Sequence, residues 1–180
     1  MNDFDGELLK KPARESWFSR FQVVALALIT LLAILSRVYI QRLIPNTRFL
    51  ELPLLLTVYF GLMRRNQVAS LLFGAFVGLL EDSLAPTTLP LGMNGIAKTL
   101  VGYFAASVSL RFDVENVLIR FILSFFFYFF NAFFFWVMQR ALLGQLIPFD
   151  PQDALIHGVL NAIVAVPLFL ILDRMKLSHS

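Results

Sequence analysis

The sequence predicts an all-α integral membrane protein, a bundle of six transmembrane helices. The first observation is composition: 58% of the 180 residues are hydrophobic, only 15% are charged, and the mean hydropathy is +0.75. A water-soluble domain of this size could hardly bury so much apolar surface. The second is that apolar runs, separated by charges or prolines, account for most of the chain. Because a spanning helix needs roughly 20 residues, the chain has room for five or six helices and short loops.

Each predicted helix corresponds to one apolar run. The runs are 21–35, 49–63, 68–80, 91–110, 117–138 and 154–172. The first follows a basic segment, but bulky residues and arginines come after it in place of an A-x-A-like cleavage site, so we expect an uncleaved helix. The second and third are short and are divided only by RRNQ at 64–67. This pattern predicts a tight hairpin that is tilted or locally thins the bilayer.

Lysine and arginine counting predicts that both termini are cytoplasmic. With the N-terminus inside, the cytoplasmic segments hold ten basic residues: Lys10, Lys11, Arg14, Arg20, Arg64, Arg65, Arg111, Arg120, Arg174 and Lys176. The outer loops hold four: Arg37, Arg42, Arg48 and Arg140. The excess inside fits the positive-inside rule. We therefore expect a cytoplasmic N-terminal segment at 1–20, a six-helix transmembrane domain at 21–172 and a cytoplasmic tail at 173–180, with Glu81 and Asp82 on the outer side.

The residue patterns of common catalytic and metal sites are missing from the sequence. There is no cysteine, H-E-x-x-H, G-x-S-x-G or phosphate-binding glycine loop. As neighbours on a helix, Glu81 and Asp82 point about 100° apart, which suits an acid–base pair poorly. His157 has no second histidine within a helical turn. We expect no enzymatic activity, no cofactor and no metal, and we attribute the pI near 9.5 to topology and not to nucleic-acid binding.

Small residues form a stripe on each of the third and fourth predicted helices. Gly74, Gly78 and Asp82 follow one another at intervals of four and fall near one helical face. Gly95, Lys98 and Gly102, at spacings of three and four, do the same on the next helix. Because small residues let backbones approach closely, we expect these two helices to pack on each other.

Lys98 requires a partner inside the bundle. It lies about a third of the way into its apolar run, where an unpaired charge would cost on the order of 3 kcal/mol. The turn containing Pro86 and Pro90 brings Glu81 or Asp82 back within reach. Two interpretations remain open: an ion pair that pins the hairpin, or a carboxylate and glycine turn that form a docking surface on the outer face.

Two amides and a run of phenylalanines lie in the last two predicted helices. Asn131 and Asn161 are at membrane depth, where an amide usually makes an interhelical hydrogen bond. We interpret both as packing contacts in preference to a ligand site. The segment FFFYFFNAFFFW at 125–136 is interpreted as a bulky face toward lipid or the bundle interior, in preference to an aromatic ligand site.

The segment GLLEDSLAPTTLPLGMNGIAKTLVGY, at 78–103, resembles the central signature of the bacterial MreD family of rod shape-determining membrane proteins. In that family a helix ends in G-L-x-x-D-x-L, a short turn reaches L-G, and the next helix carries K-x-L-x-x-Y. The matching residues here are Gly78, Leu79, Asp82, Leu84, Leu91, Gly92, Lys98, Leu100 and Tyr103. About 26 residues are diagnostic, although size and hydrophobicity also fit along most of the chain. The two prolines of APTTLP depart from the family pattern.

The resemblance implies a non-enzymatic subunit of the elongation machinery in the bacterial inner membrane. Its expected partner is an MreC-like single-span protein, and through it MreB filaments, RodA and a penicillin-binding transpeptidase. The family is also similar in size and helix number to the substrate-binding (S-component) subunits of energy-coupling-factor vitamin transporters. The resemblance to the MreD family implies a role in rod shape and in side-wall peptidoglycan synthesis.

Three hypotheses follow from these features. In the first, an adaptor surrounded by membrane lipids holds the partner's span on its glycine faces or on the phenylalanine-rich helix, with Asp82 and the Gly92 turn shaping the outer surface. In the second, a transporter subunit binds a small molecule where Lys98, Asn131 and Asn161 converge on an open cavity. The third is a membrane anchor with neither ligand nor fixed partner.

Overall fold

The computed structural model describes residues 28–37, 39, 50–84 and 90–177, and this part of the chain is helical with no β-strand. Its helices are α1 (Leu28–Arg37), α2 (Leu52–Arg64), α3 (Gln67–Leu84), α4 (Met93–Ser109), α5 (Val117–Leu143) and α6 (Pro151–Leu177). The all-α prediction is therefore confirmed for the described residues. The first part of the first predicted run, 21–27, lies outside them.

Three of these helices are long and apolar enough to cross a membrane. They are α3, α5 and the Pro151–Met175 part of α6. By contrast, α2 has 13 residues, which at about 1.5 Å per residue reach roughly 20 Å of a hydrocarbon core about 30 Å thick. The described part of α1 is also short, and α4 has 17 residues. Helices that are long and apolar enough to span a membrane therefore correspond to three of the six predicted spans.

Helix boundaries differ from the predicted runs by up to five residues. The third helix continues four residues past Leu80 and takes in Glu81 and Asp82 as buried residues. The last helix continues to Leu177, so the segment predicted as a tail from residue 173 begins as helix. The fourth starts later than predicted, because Gly92 before it adopts a left-handed backbone with φ of 101°.

A two-residue turn joins α2 to α3, as predicted for the hairpin. Arg65 ends α2 in the left-handed conformation, with φ of 54°. Asn66 then caps α3, where its Oδ1 accepts a hydrogen bond from the backbone N–H of Ala69 at 3.0 Å. The chain therefore reverses immediately, and α2 packs against α3 and α4.

The closest helix contact is between α3 and α4, and glycines make it possible. A Cβ on Gly74 would overlap the carbonyl oxygen of Lys98, and one on Gly78 would overlap that of Asn94. In the other direction, a Cβ on Gly102 would overlap the carbonyl oxygen of Ser70. Backbone thus lies directly on backbone along both helices, which is the packing that the glycine spacing predicts.

The short helix α2 lies at the centre of the bundle. Its apolar side chains are almost completely buried in one cluster with residues of α4, α5 and α6. The phenylalanine-rich helix α5 contributes in two directions: Phe127 is fully buried in this cluster, whereas Phe126 is half exposed. Phe126, Phe130 and Phe134 stack in a row along α5, and the last two are partly buried against the core clusters. These rings therefore serve both the interior and the outer surface.

Gly74→Ala is expected to lower the free energy of unfolding by about 1–3 kcal/mol, because the new methyl group would meet rigid backbone. Gly158→Ala is the matched control. Its Cβ would meet only side-chain atoms of Phe125 and Tyr128, and alanine favours the helix by about 1 kcal/mol over glycine. Reversible unfolding in mixed detergent micelles measures both. Equal stability of the two variants would contradict the close α3–α4 contact.

Candidate functional site

A buried ion pair joins the ends of α3 and α4. Lys98 Nζ lies 2.7 Å from Glu81 Oε2, and the side chains are 0% and 2% exposed. Of the two carboxylates that the sequence left open as partners for Lys98, Glu81 is the one that contacts it. The other Glu81 oxygen pairs with the guanidinium of Arg37, at the end of α1. One carboxylate therefore pairs with cations from two helices.

Glu51, immediately before α2, extends this pair to the remaining helices. Its Oε1 accepts from Arg37 Nη2 at 3.3 Å, and its Oε2 accepts a longer contact of 3.5 Å from Asn131 Nδ2 of α5. Its backbone N–H donates to Asn161 Oδ1 of α6 at 3.0 Å. We call Arg37, Glu51, Glu81 and Lys98 the charge network, which together with the two asparagines includes residues from all six helices or their ends.

Asp82 points about 100° away from Glu81 on the helix and therefore binds a different set of groups. Its Oδ2 accepts from the backbone N–H groups of Gly92 at 2.9 Å and Gly95 at 3.2 Å. Its Oδ1 accepts from Asn94 Nδ2 at 2.8 Å, while Asn94 Oδ1 accepts from Lys98 Nζ at 3.3 Å. The carboxylate thus satisfies orphan N–H groups at the start of α4. Asn94 links it to the charge network.

A shallow groove runs along the outside of the α3–α4 contact, with a volume of about 310 Å³. Aliphatic and small residues line it: Ala75, Leu79, Gly92, Gly95, Ile96, Thr99 and Leu100. We call this surface the α3–α4 groove. Leu79 and Ile96 are each 50% exposed, and a Cβ on Gly95 would meet only the side chain of Leu79 and its backbone N–H.

The residues singled out in the sequence therefore divide into four sets. Packing between α3 and α4 uses Gly74, Gly78 and Gly102. Lys98, Asn131 and Asn161 bind within the charge network or to it. The α3–α4 groove contains Gly92 and Gly95, held by Asp82. Tyr103 stands apart, partly exposed with its ring edge against Phe104.

Sequence reasoning missed Arg37 and Glu51, and also a second buried group near the other end of the bundle. There Arg120 Nη1 lies 2.5 Å from Asp173 Oδ2, and Tyr59 Oη donates to Asp173 Oδ1 at 2.9 Å. Arg120 was counted among the cytoplasmic charges, yet its side chain is buried. The up-and-down topology could have indicated Arg37 and Glu51, since it places the end of α1 and the start of α2 beside the end of α3.

The chemistry of this arrangement is neutralisation of charge inside the bundle. The two cations of the charge network face two carboxylates, so its net charge is zero when all four groups are ionised. Within the described ranges no group of three or more acidic, histidine or cysteine side chains could hold a metal ion. Comparison with models of known families, with curated proteins and with solved structures finds no match for this chain.

Lys98→Met and Glu81→Leu are each expected to destabilise the protein by about 3–5 kcal/mol, because each leaves the buried charge network with one uncompensated charge. The double variant should lose less than the sum of the two, since it removes both charges. Unfolding in mixed micelles gives the four free energies of this double-mutant cycle. Asp153→Asn, which breaks the more exposed pair with His157, is the control and should cost less than about 1 kcal/mol. Additive single effects would refute coupling between Lys98 and Glu81.

Asp82→Ala is expected to expose the backbone N–H groups of Gly92 and Gly95. Loss of charge-assisted hydrogen bonds worth about 1.5–3 kcal/mol each should accelerate their deuterium exchange roughly tenfold or more. Hydrogen exchange of the detergent-solubilised protein, read out on peptides covering 91–96, measures the change. The start of α6 supplies a control in the same sample, and its exchange should stay as in the wild type. Unchanged exchange at 91–96 would show that Asp82 does not hold the turn.

Proposed function

We propose that this chain is a non-enzymatic, MreD-type subunit of the bacterial elongation complex. It lies in the inner membrane and holds the single span of an MreC-like partner in the α3–α4 groove. Through that partner it connects indirectly to MreB filaments, RodA and a penicillin-binding transpeptidase. Its contribution is to maintain rod shape and to regulate side-wall peptidoglycan synthesis.

The observation that carries this proposal is the way 78–84 and 90–103 pack on each other. Gly78 packs on the backbone of α4, and Asp82 holds Gly92 and Gly95 in place. Several of the residues that resemble the MreD signature, Gly78, Asp82, Gly92 and Lys98, thereby take part in the contact between α3 and α4. The outside of this contact is the α3–α4 groove, where aliphatic side chains face the surroundings. An apolar groove beside small residues suits a transmembrane helix as its occupant.

The proposed arrangement has six spans with both termini in the cytoplasm. The charge network joins the end of α1, the start of α2, the end of α3 and the first turns of α4, as expected for successive helices in alternating directions. Arg120 and Asp173 meet near the opposite end, at the start of α5 and the end of α6. A centrally buried α2 of 13 residues does not need to face the full hydrocarbon thickness, because other helices cover it.

The transporter alternative rests on the convergence of Lys98, Asn131 and Asn161. These side chains do meet around the charge network, and Asn131 Oδ1 is a buried acceptor without a hydrogen-bond partner among the described residues. Lys98 and Asn131 contact the carboxylates of Glu81 and Glu51, and Asn161 accepts from the Glu51 backbone N–H. Polar groups already bound within the protein favour a scaffold over a vitamin-binding cavity, and so does the resemblance at 78–103.

Ile96→Trp is expected to reduce co-purification with the MreC-like partner at least tenfold, because the indole would fill part of the α3–α4 groove. Ile163→Trp on α6 is the matched control: the two isoleucines are 50% and 54% exposed, but Ile163 does not line the groove. Pull-down from solubilised membranes that contain both proteins, followed by quantitative immunoblotting, measures the bound partner.

Membrane insertion and thermal stability of both variants should match the wild type. Loss of the partner with Ile163→Trp alone, or retention with both variants, would contradict docking in the groove. Gly78→Leu is a poor probe of the partner, because its side chain would collide with the backbone of α4 inside the bundle.

A further inference from the structure

A polar pocket lies at the turn between α2 and α3, at the end of the bundle opposite the charge network. It has a volume of about 350 Å³ and is lined by Arg64, Arg65, Asn66, Gln67, Val68 and Leu110. Two of these six described residues are cationic and none is acidic. The pocket therefore has the charge of a site for an anion.

Arg65 occupies a backbone position that glycine would fill more easily. It ends α2 with φ of 54°, and helices that end in this left-handed conformation usually have glycine or asparagine there. An arginine at this position has the steric cost of a Cβ in the left-handed conformation. Arg65 is exposed and lines the pocket. The turn could form with glycine at this position. We therefore attribute the presence of arginine to a function of its positive charge.

The surroundings of the pocket favour a lipid over a free ion. It borders the first residues of α3, a helix long and apolar enough to span a membrane, and the ends of a spanning helix lie at the level of the lipid headgroups. Val68 and Leu110, 68% and 60% exposed, place aliphatic surface beside the two guanidinium groups. A phosphodiester can bind the arginines while acyl chains cover the aliphatic side chains. Lysine and arginine counting also assigns this end to the cytoplasmic leaflet.

We propose that this pocket binds the phosphodiester headgroup of an anionic phospholipid, with Arg65 as the principal contact and Arg64 beside it. The site is separate from the α3–α4 groove and does not depend on the partner proposed for it. Gln67 and Asn66 help to shape the pocket through their own hydrogen bonds. Gln67 Nε2 donates to Ser107 Oγ at 2.9 Å, which ties the pocket to the end of α4.

Native mass spectrometry of the full chain in a neutral detergent, titrated with phosphatidylglycerol or phosphatidylcholine, tests this site. The wild type should bind phosphatidylglycerol at least about tenfold more tightly than phosphatidylcholine. Arg65→Gly should weaken phosphatidylglycerol binding about fivefold, the effect of one lost charge near the headgroup. Because glycine suits the left-handed turn, this variant should remain as stable as the wild type, and a melting temperature recorded on the same sample checks this.

Arg111→Gln is the control for net charge, since Arg111 is exposed after α4 but does not line the pocket. It should change phosphatidylglycerol binding less than twofold. Equal binding by Arg65→Gly and the wild type, or an equal loss in Arg111→Gln, would overturn the site. An excess of inorganic phosphate should not displace the lipid; displacement would show that the pocket takes a free phosphate ion and would refute the lipid assignment.

Discussion

The ion pair between Glu81 and Lys98 is the constraint on which the rest of this bundle depends. Both side chains are almost completely buried, and neither charge could remain there alone without a large desolvation cost. Arg37 and Glu51 complete the neutralisation from α1 and from the start of α2. Any sliding of one helix along another would separate these charged groups. The ion pairs therefore also fix the position of each helix along its axis relative to its neighbours. Apolar packing alone would tolerate several such displacements, since lipid and leucine side chains are equally apolar.

The two adjacent carboxylates have different roles: Glu81 fixes the positions of helices and Asp82 closes a turn. Glu81 points into the bundle, whereas Asp82, one position further, holds the backbone at Gly92 and Gly95. Between these anchored ends the glycines bring α3 and α4 into backbone contact. The polar and small residues of this segment are therefore used within the chain itself. What they leave for a partner is the apolar outside of the same two helices, which is why the proposed docking surface is the α3–α4 groove and not the charged interior.

The sequence predicts local relations well and distant ones poorly. The α2–α3 hairpin, the α3–α4 contact and a carboxylate partner for Lys98 all join residues close together along the chain or on successive helices. The bond between Glu51 and Asn161 joins residues 110 positions apart, and that between Arg120 and Asp173 spans 53.

Such contacts depend on how each helix is rotated about its axis. On α5 the sequence gives little indication of rotation, because Phe126 and Phe127 are chemically identical yet one is half exposed and the other fully buried. The burial of Glu81 was not predicted for a related reason, since it depends on contacts with Arg37 and Lys98 on two other helices.

A membrane scaffold with its charges satisfied internally can change its partner contacts without rebuilding its core, which suits the proposed role as an adaptor. Magic-angle-spinning NMR of the protein in lipid bilayers tests the internal pairing most directly, through the dipolar coupling between the Lys98 side-chain nitrogen and the Glu81 carboxylate carbon. We expect a resolved coupling, because the 2.7 Å contact between Lys98 Nζ and Glu81 Oε2 places the carboxylate carbon one bond beyond that oxygen, and its disappearance in Lys98→Met. Absence of this coupling in a fully folded sample would contradict the charge network as the basis of the structure.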